Sequence, residues 1–235
     1  MCAISGAEDD LSLIQLQDIV EDLASEFEAS PWELGDDERG LNPEQLARER
    51  MLSSRIDGLP LRRAVLRSQG AVEGVGVFAT REISKGELIT CYPGDALIYQ
   101  PTDGIIFGEH VPETMADPES CFGEWIDYGL AEDDEYALIG IPLLDDDAAY
   151  LGHFCNDGAC LLEGWNTSQY SVASNQMLNA KHIDVAGLHT ATVATRPIRR
   201  DEEVLVSYGK EYWLEYNERH SNMSESDAIP YAPKR

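Results

Sequence analysis

Between residues 11 and 28 the apolar positions Leu13, Leu16, Val20, Leu23 and Phe27 recur at intervals of three and four, the stripe of an amphipathic helix. Ser12 followed by Gln15 suits a capping box at its start. After a loop carrying Pro31, Gly35 and Gly40, Asn42-Pro43 opens a second helix running to about Arg55, with a weaker apolar face. These two helices form a helical N-terminal segment over 1–60, an appendage or cap to the main domain. Beyond Gly58 the period changes. Short β-type runs at 61–66, 77–80 and 87–92 are separated by glycine turns at Gly70, at Gly74-Val75-Gly76 and at Ser84-Lys85-Gly86, and Pro93-Gly94 stops the third. Residues 95–135 mix Pro, Gly and acidic residues with Phe107, Trp125 and Tyr128, and read as an irregular insert with one or two short elements. A strand comes next at 135–141, and Asp157-Gly158 marks a turn. Residues 161–178 read as loop, 180–185 and 189–195 as a hairpin around Gly187, and 204–207 as a last strand, with a polar tail over 217–235. The sum is a mainly β (α+β) domain over 61–216.

A chain of 235 residues can bury one substantial core. Charge adds a direction. The balance of 17 Lys and Arg against 44 Asp and Glu gives a net charge of −27, and residues 95–150 hold fifteen acids with no Lys or Arg. Such a surface repels nucleic-acid phosphates and anionic lipid and attracts basic proteins, so direct nucleic-acid binding is not expected. No apolar run is long enough to span a membrane, and the first ten residues lack the pattern of a secretory signal. Five scattered cysteines read as reduced thiols of an intracellular protein. His153, Cys155 and Cys160 are near neighbours, but no second pair completes a tetrahedral set, so no metal is expected.

Gly74-Val75-Gly76-Val77-Phe78-Ala79 fits the dinucleotide string G-x-G-x-x-A, yet that motif must open a helix, and here Ser84-Lys85-Gly86 turns the chain within a few β-type residues. The glycines still permit close backbone approach to a ligand. Taken in order, four segments closely resemble the SET domain: Gly74-x-Gly76 with Phe78-Ala79-Thr80; 83–89 with Tyr92-Pro93-Gly94 after it; 152–159, similar to the family's R-F-I-N-H-S-C motif; and 194–209, similar to its closing motif, with Tyr212-Trp213 beyond it. The resemblance spans roughly 62–213. It implies a fold of short β-sheets in which the last two motifs cross as a pseudoknot, and an S-adenosylmethionine-dependent protein lysine methyltransferase.

Carried over by motif, the resemblance implies Tyr208 and Tyr92 as catalytic residues. Gly74, Val75, Gly76, Phe154, Asn156, Asp157 and Trp213 would bind the cofactor, and Tyr136, Tyr128 and Val206 would wall the lysine channel. The substrate is expected to be a basic protein or tail, histone favoured, in the nucleus in that case and otherwise in the cytoplasm. The alternative is a catalytically silent SET module that binds a basic partner through its acidic surface. Two departures stand out: Asp157 replaces the family's usual histidine, and no cysteine cluster comes after Trp213 to build a zinc-bound closing element. Asp157 is expected to accept a hydrogen bond from the cofactor's adenine. The acids of 95–150 are expected on the approach surface and not in the channel wall, because a carboxylate beside the channel would raise the lysine's pKa.

Overall fold

The apolar stripe at the start of the chain forms α1 (Leu13–Ala29). Its first turn is closed by the Ser12 amide donating to Gln15 Oε1 at 2.8 Å and the Gln15 amide to Ser12 Oγ at 3.3 Å. The chain is described by a computed structural model over residues 10–29, 40–61, 65–69, 75–132, 134–159 and 166–220. Within it Leu16 and Val20 are buried in one cluster with Leu88, Cys91, Tyr150, Ala191 and Val193, so α1 seals a face of the sheet. Helix α2 (Pro43–Leu52) starts at the Asn42 capping box and buries Leu46, Met51 and Leu52. It stops three residues short of the expected end.

Strands β1 (Val65–Gln69) and β2 (Val75–Ala79) form an antiparallel pair, and β3 (Leu88–Tyr92) comes after the Ser84-Lys85-Gly86 turn. The next stretch departs from expectation. Instead of an irregular insert, it supplies β4 (Ala96–Tyr99), β5 (Gly104–Phe107) and β6 (Gly129–Ala131), which join β7 (Tyr136–Ile139), the strand expected at 135–141, in a four-stranded antiparallel sheet in the order β5-β4-β7-β6. The reason is local. Two four-residue β-type runs flank Gln100-Pro101-Thr102-Asp103, where Pro101 stops the first strand and Asp103, at φ 50°, turns the chain back. A short helix, α3 (Pro118–Phe122), lies between β5 and β6.

Past β8 (Asn156–Asp157), the expected loop at 161–178 is instead mostly helix, α4 (Thr167–Met177). Its signal is a second capping box, Asn166 with Gln169, at 2.9 and 3.0 Å. Strands β9 (Ala180–Val185) and β10 (His189–Ala194) form the expected hairpin, turned through Ala186 and Gly187, and β10 also pairs with β3. The closing segment runs back along β2, through the Phe78–Glu203 bridge, into β11 (Leu205–Val206), which lies parallel to β8. From its other side Asn179 grips the same segment: its Nδ2 donates to the Glu203 carbonyl at 2.7 Å, and its Oδ1 accepts from the Leu205 amide at 2.8 Å. A strand held from both sides by segments distant in sequence is the expected pseudoknot. The chain then forms α5 (Gly209–His220), which takes in the first residues of the expected tail. No described helix is long and apolar enough to cross a membrane.

Candidate active site

The site is built where β3, β9, the knot and α5 meet. Gly152 lets the 151–155 segment pass against β3, since a Cβ there would lie 2.7 Å from the Cys91 carbonyl oxygen. That close pass presents His153 and Cys155 to a cavity of about 770 Å³ whose lining includes Tyr92, Tyr128, His182, Tyr208 and Tyr212. The Tyr208 hydroxyl donates to the Cys155 carbonyl at 3.0 Å and the Tyr92 hydroxyl to the Tyr128 carbonyl at 2.5 Å. His182 meets the Tyr92 ring edge-on at 5.5 Å and shares a hydrogen bond with Thr192 Oγ1 at 3.0 Å.

This environment penalises charge. Burial pushes the Tyr208 and Tyr92 phenols well above their ordinary values, helped by neighbouring groups such as Tyr212, and it pushes the His182 imidazole down to about 4. At neutral pH the phenols are protonated and His182 is uncharged. The rim is different. Helix α5 presents Glu211, Tyr212, Glu215, Glu218 and Arg219 to the cavity, positions that recur on one helical face, and Asp127 lies opposite. Arg219 bridges to Asp127 at 3.0 Å, clasping the far end of α5 to the turn before β6.

A second convergence lies beside the first. Asn156 Nδ2 donates to the Val75 carbonyl at 3.1 Å and to Glu203 Oε1 at 2.8 Å. A Cβ on Gly76 would lie 2.2 Å from that same Glu203 oxygen, so only glycine leaves room for carboxylate, amide and backbone to converge. Trp213 stacks near Tyr208, with ring centroids 6.0 Å apart, and its indole N–H reaches Asp157 at 3.1 Å. The structure therefore gathers Val75, Gly76, Asn156, Asp157, Tyr208 and Trp213 around the knot, and Tyr92 and Tyr128 into the adjoining cavity. Gly74 lies outside the described residues.

Three expected site residues fall elsewhere. Tyr136 is 1 % exposed, packed with Leu52, Leu97 and Leu138 under the Arg48 guanidinium, because β7 turns that side chain into the core between α2 and β4. Val206 is fully buried in the core beneath the knot and does not line the cavity. Phe154 packs in that same core, against the His153 ring. The hydrogen bond that Asp157 is expected to accept from adenine is overturned as well. The carboxylate already receives Ala159 N–H, Ser174 O–H, Tyr170 O–H, Tyr208 N–H and Trp213 N–H, which exhausts the roughly four lone-pair positions it has.

The acids also divide differently from expectation. Asp95 is buried on Arg55 and His110, Asp127 does line the cavity, and three of the rim carboxylates come from α5. The spacing of 211, 215, 218 and 219 carries that helical signal, but Tyr212-Trp213 draws attention to the segment for its aromatic pair alone. His153, His182 and Tyr212 are lining residues that motif reasoning misses too. No three His, Cys, Asp or Glu side chains converge as a metal set among the described residues.

The family model of the SET domain matches residues 74–209, more than half of the chain, and with the knot and its tyrosine in place the chain belongs to the SET domain family. No curated protein matches it. A solved structure described as a candidate histone methyltransferase of Plasmodium falciparum is similar at 18 % identity with a TM-score of 0.35, covering 65 % of this chain and 99 % of that one, a likeness too loose to carry an argument.

Proposed function

We propose that this chain is an S-adenosylmethionine-dependent protein lysine N-methyltransferase acting on a basic protein or tail, with histone the favoured substrate. The observation that carries the reading is the Tyr208 hydroxyl, fixed on the Cys155 carbonyl inside an uncharged aromatic cavity with a carboxylate rim. SET domain methyltransferases generally use S-adenosylmethionine, which when bound supplies an electrophilic methyl group on a sulfonium. The residues beside Gly76 suit it. The Val75 carbonyl and the buried Glu203 carboxylate converge there on the Asn156 side-chain amide that donates to both, and those two oxygens are acceptors of the kind the ammonium of an amino-acid end requires.

This chain's own residues handle the amine. A lysine near pKa 10.4 costs about 4 kcal/mol to deprotonate at pH 7.5. A cavity that holds His182 at about 4 by burial disfavours an ammonium in the same way and promotes the neutral nucleophile. The carboxylates sit on the rim, where they attract a cationic side chain, while the inner wall of phenols, imidazoles and backbone carbonyls orients it. The Cys155 carbonyl and the Tyr208 hydroxyl, held together at the cavity wall, are the oxygens that would orient an amine and a polarised methyl group there.

The test is transfer of labelled methyl from S-adenosylmethionine to mixed core histones. The wild-type chain should label them, and Tyr208→Phe should lower kcat by about 10²-fold, the usual cost of removing one oriented transition-state group. Equal labelling by both proteins would remove Tyr208 from its role. No labelling together with no cofactor binding would favour the silent binding module.

A further inference from the structure

Asp157 stands where the family motif carries histidine, and its surroundings show what the substitution does. The side chain is 4 % exposed. Oδ1 accepts from the Ala159 amide and the Ser174 hydroxyl, each at 3.0 Å. Oδ2 accepts from the Tyr170 hydroxyl at 2.5 Å, the Tyr208 amide at 2.9 Å and Trp213 Nε1 at 3.1 Å. The donors belong to separate pieces of chain: Ser174 and Tyr170 to α4, Tyr208 to the end of the knot, and Trp213 to α5.

We propose that Asp157 is a positioning residue whose carboxylate seats α5 as the outer wall of the cavity and fixes the backbone of Tyr208. The catalytic half of this inference rests on the methyltransferase reading; the seating of α5 does not. At the far end of α5 the Arg219–Asp127 clasp is a partly exposed ion pair of the kind worth least, and nearer the start the Tyr212 hydroxyl reaches the Asp127 carbonyl only at 3.5 Å. At the near end the contacts are Trp213 with Ala159 and Tyr170, Tyr212 against Tyr208, and the carboxylate itself. Hydrogen bonds to an ionised acceptor are about twice as strong as neutral ones.

A carboxylate of this size also accepts on both sides, which its amide counterpart does not. Asparagine presents one oxygen and one NH₂. Whichever way it turns, an N–H faces either the Ala159 amide or the Tyr208 amide and indole, donor against donor.

The experiment uses the full chain as wild type, Asp157→Asn and Tyr170→Phe, the last leaving the carboxylate but removing one of its donors together with the acceptor that the Tyr170 hydroxyl offers the Gly209 amide at 3.1 Å. Hydrogen exchange is measured across α5 and, as internal reference, β9 and β10; methyl transfer to core histones is measured alongside. In Asp157→Asn, α5 amides should exchange about tenfold faster or more while β9 and β10 hold their rates, since local opening reports local anchoring. The kcat should fall by about tenfold or more with the displaced wall, and Tyr170→Phe should lie between. Unchanged α5 exchange in Asp157→Asn overturns the proposal, as does acceleration spread equally over α5, β9 and β10, which marks a general stability residue. Should Asp157→Asn not fold, Trp213→Phe, which removes the donor that α5 itself gives the carboxylate, decides by the same two patterns. A wild-type chain that transfers no methyl but shows the selective α5 effect loses the methyltransferase reading and keeps the seating.

Discussion

Asp95 shows how one residue can be misassigned by its neighbours in sequence. It opens the acidic stretch, yet it is fully buried. Arg55 Nε meets its Oδ1 at 2.8 Å, His110 Nε2 lies 2.8 Å from the same oxygen, and the Ile141 amide donates to Oδ2 at 2.8 Å. Burial alone would raise this carboxyl, but the bonds from His110 and Arg55, the Arg55 charge and the Ile141 amide outweigh it and hold the pKa below the ordinary value. A carboxyl lowered by folding contributes stability above its unfolded pKa, near 3.9, and that contribution is lost as pH falls through the folded value. Asp95→Ala should cost about 3–5 kcal/mol at pH 7, because Arg55 would remain buried without its partner. Urea unfolding at pH 7 measures it, and repeating the pair of titrations below pH 4 should narrow the gap; a gap constant with pH would remove the ionised pair as its source. What is legible at this scale is residue type, not environment. The string at 152–159 identifies the knot, but only folding reveals that Asp157 is filled by the protein's own donors.

Among elements, those written in periodic apolar residues are legible, and those written in caps or long-range pairing are less so. The α1 stripe and the β9–β10 hairpin show themselves by spacing of three and four and by β-type runs around a glycine turn. Helix α4 has a weak apolar face, burying only Tyr170 and Ser174, so its capping box is the one usable signal, and apolar periodicity alone does not reveal it. Strands β4 and β5 are four residues each, too short to separate from loop until β7 pairs with β4 from far along the chain. Helix α1 provides the test of what the N-terminal segment does. Leu16 is fully buried against the β3 and β10 side chains, so Leu16→Ala should destabilise the whole domain by about 2–5 kcal/mol in one cooperative unfolding transition. A loss confined to α1, with the sheet melting as in wild type, would mean the helix is docked and not integral.

For the molecule as a whole, the question is what a net charge of −27 does for the proposed methyl transfer, which requires an uncharged amine. Carboxylates within the channel would stabilise the ammonium and oppose transfer; at the rim they raise the local concentration of a basic chain and leave the inner wall to desolvate it. The cavity divides that way, with Asp127, Glu211, Glu215 and Glu218 lining it from the clasp and the α5 face, and with the tyrosines and histidines of β3, β9 and the knot around Tyr208. The proposed substrate class rests on this division and is open to a kinetic test. Screening shortens from about 10 Å at 0.1 M salt to about 3 Å at 1 M, so KM for a lysine peptide flanked by basic residues should rise steeply with salt while kcat changes little. A peptide with neutral flanks should show a flat KM. The double substitution Glu215→Gln with Glu218→Gln should raise KM for the basic peptide several-fold at low salt and remove most of its salt dependence, as expected when rim charges steer association. A basic peptide whose KM ignores both salt and the α5 substitutions would place recognition in shape and hydrogen bonding, and the large negative charge would then serve the rest of the surface and not the site.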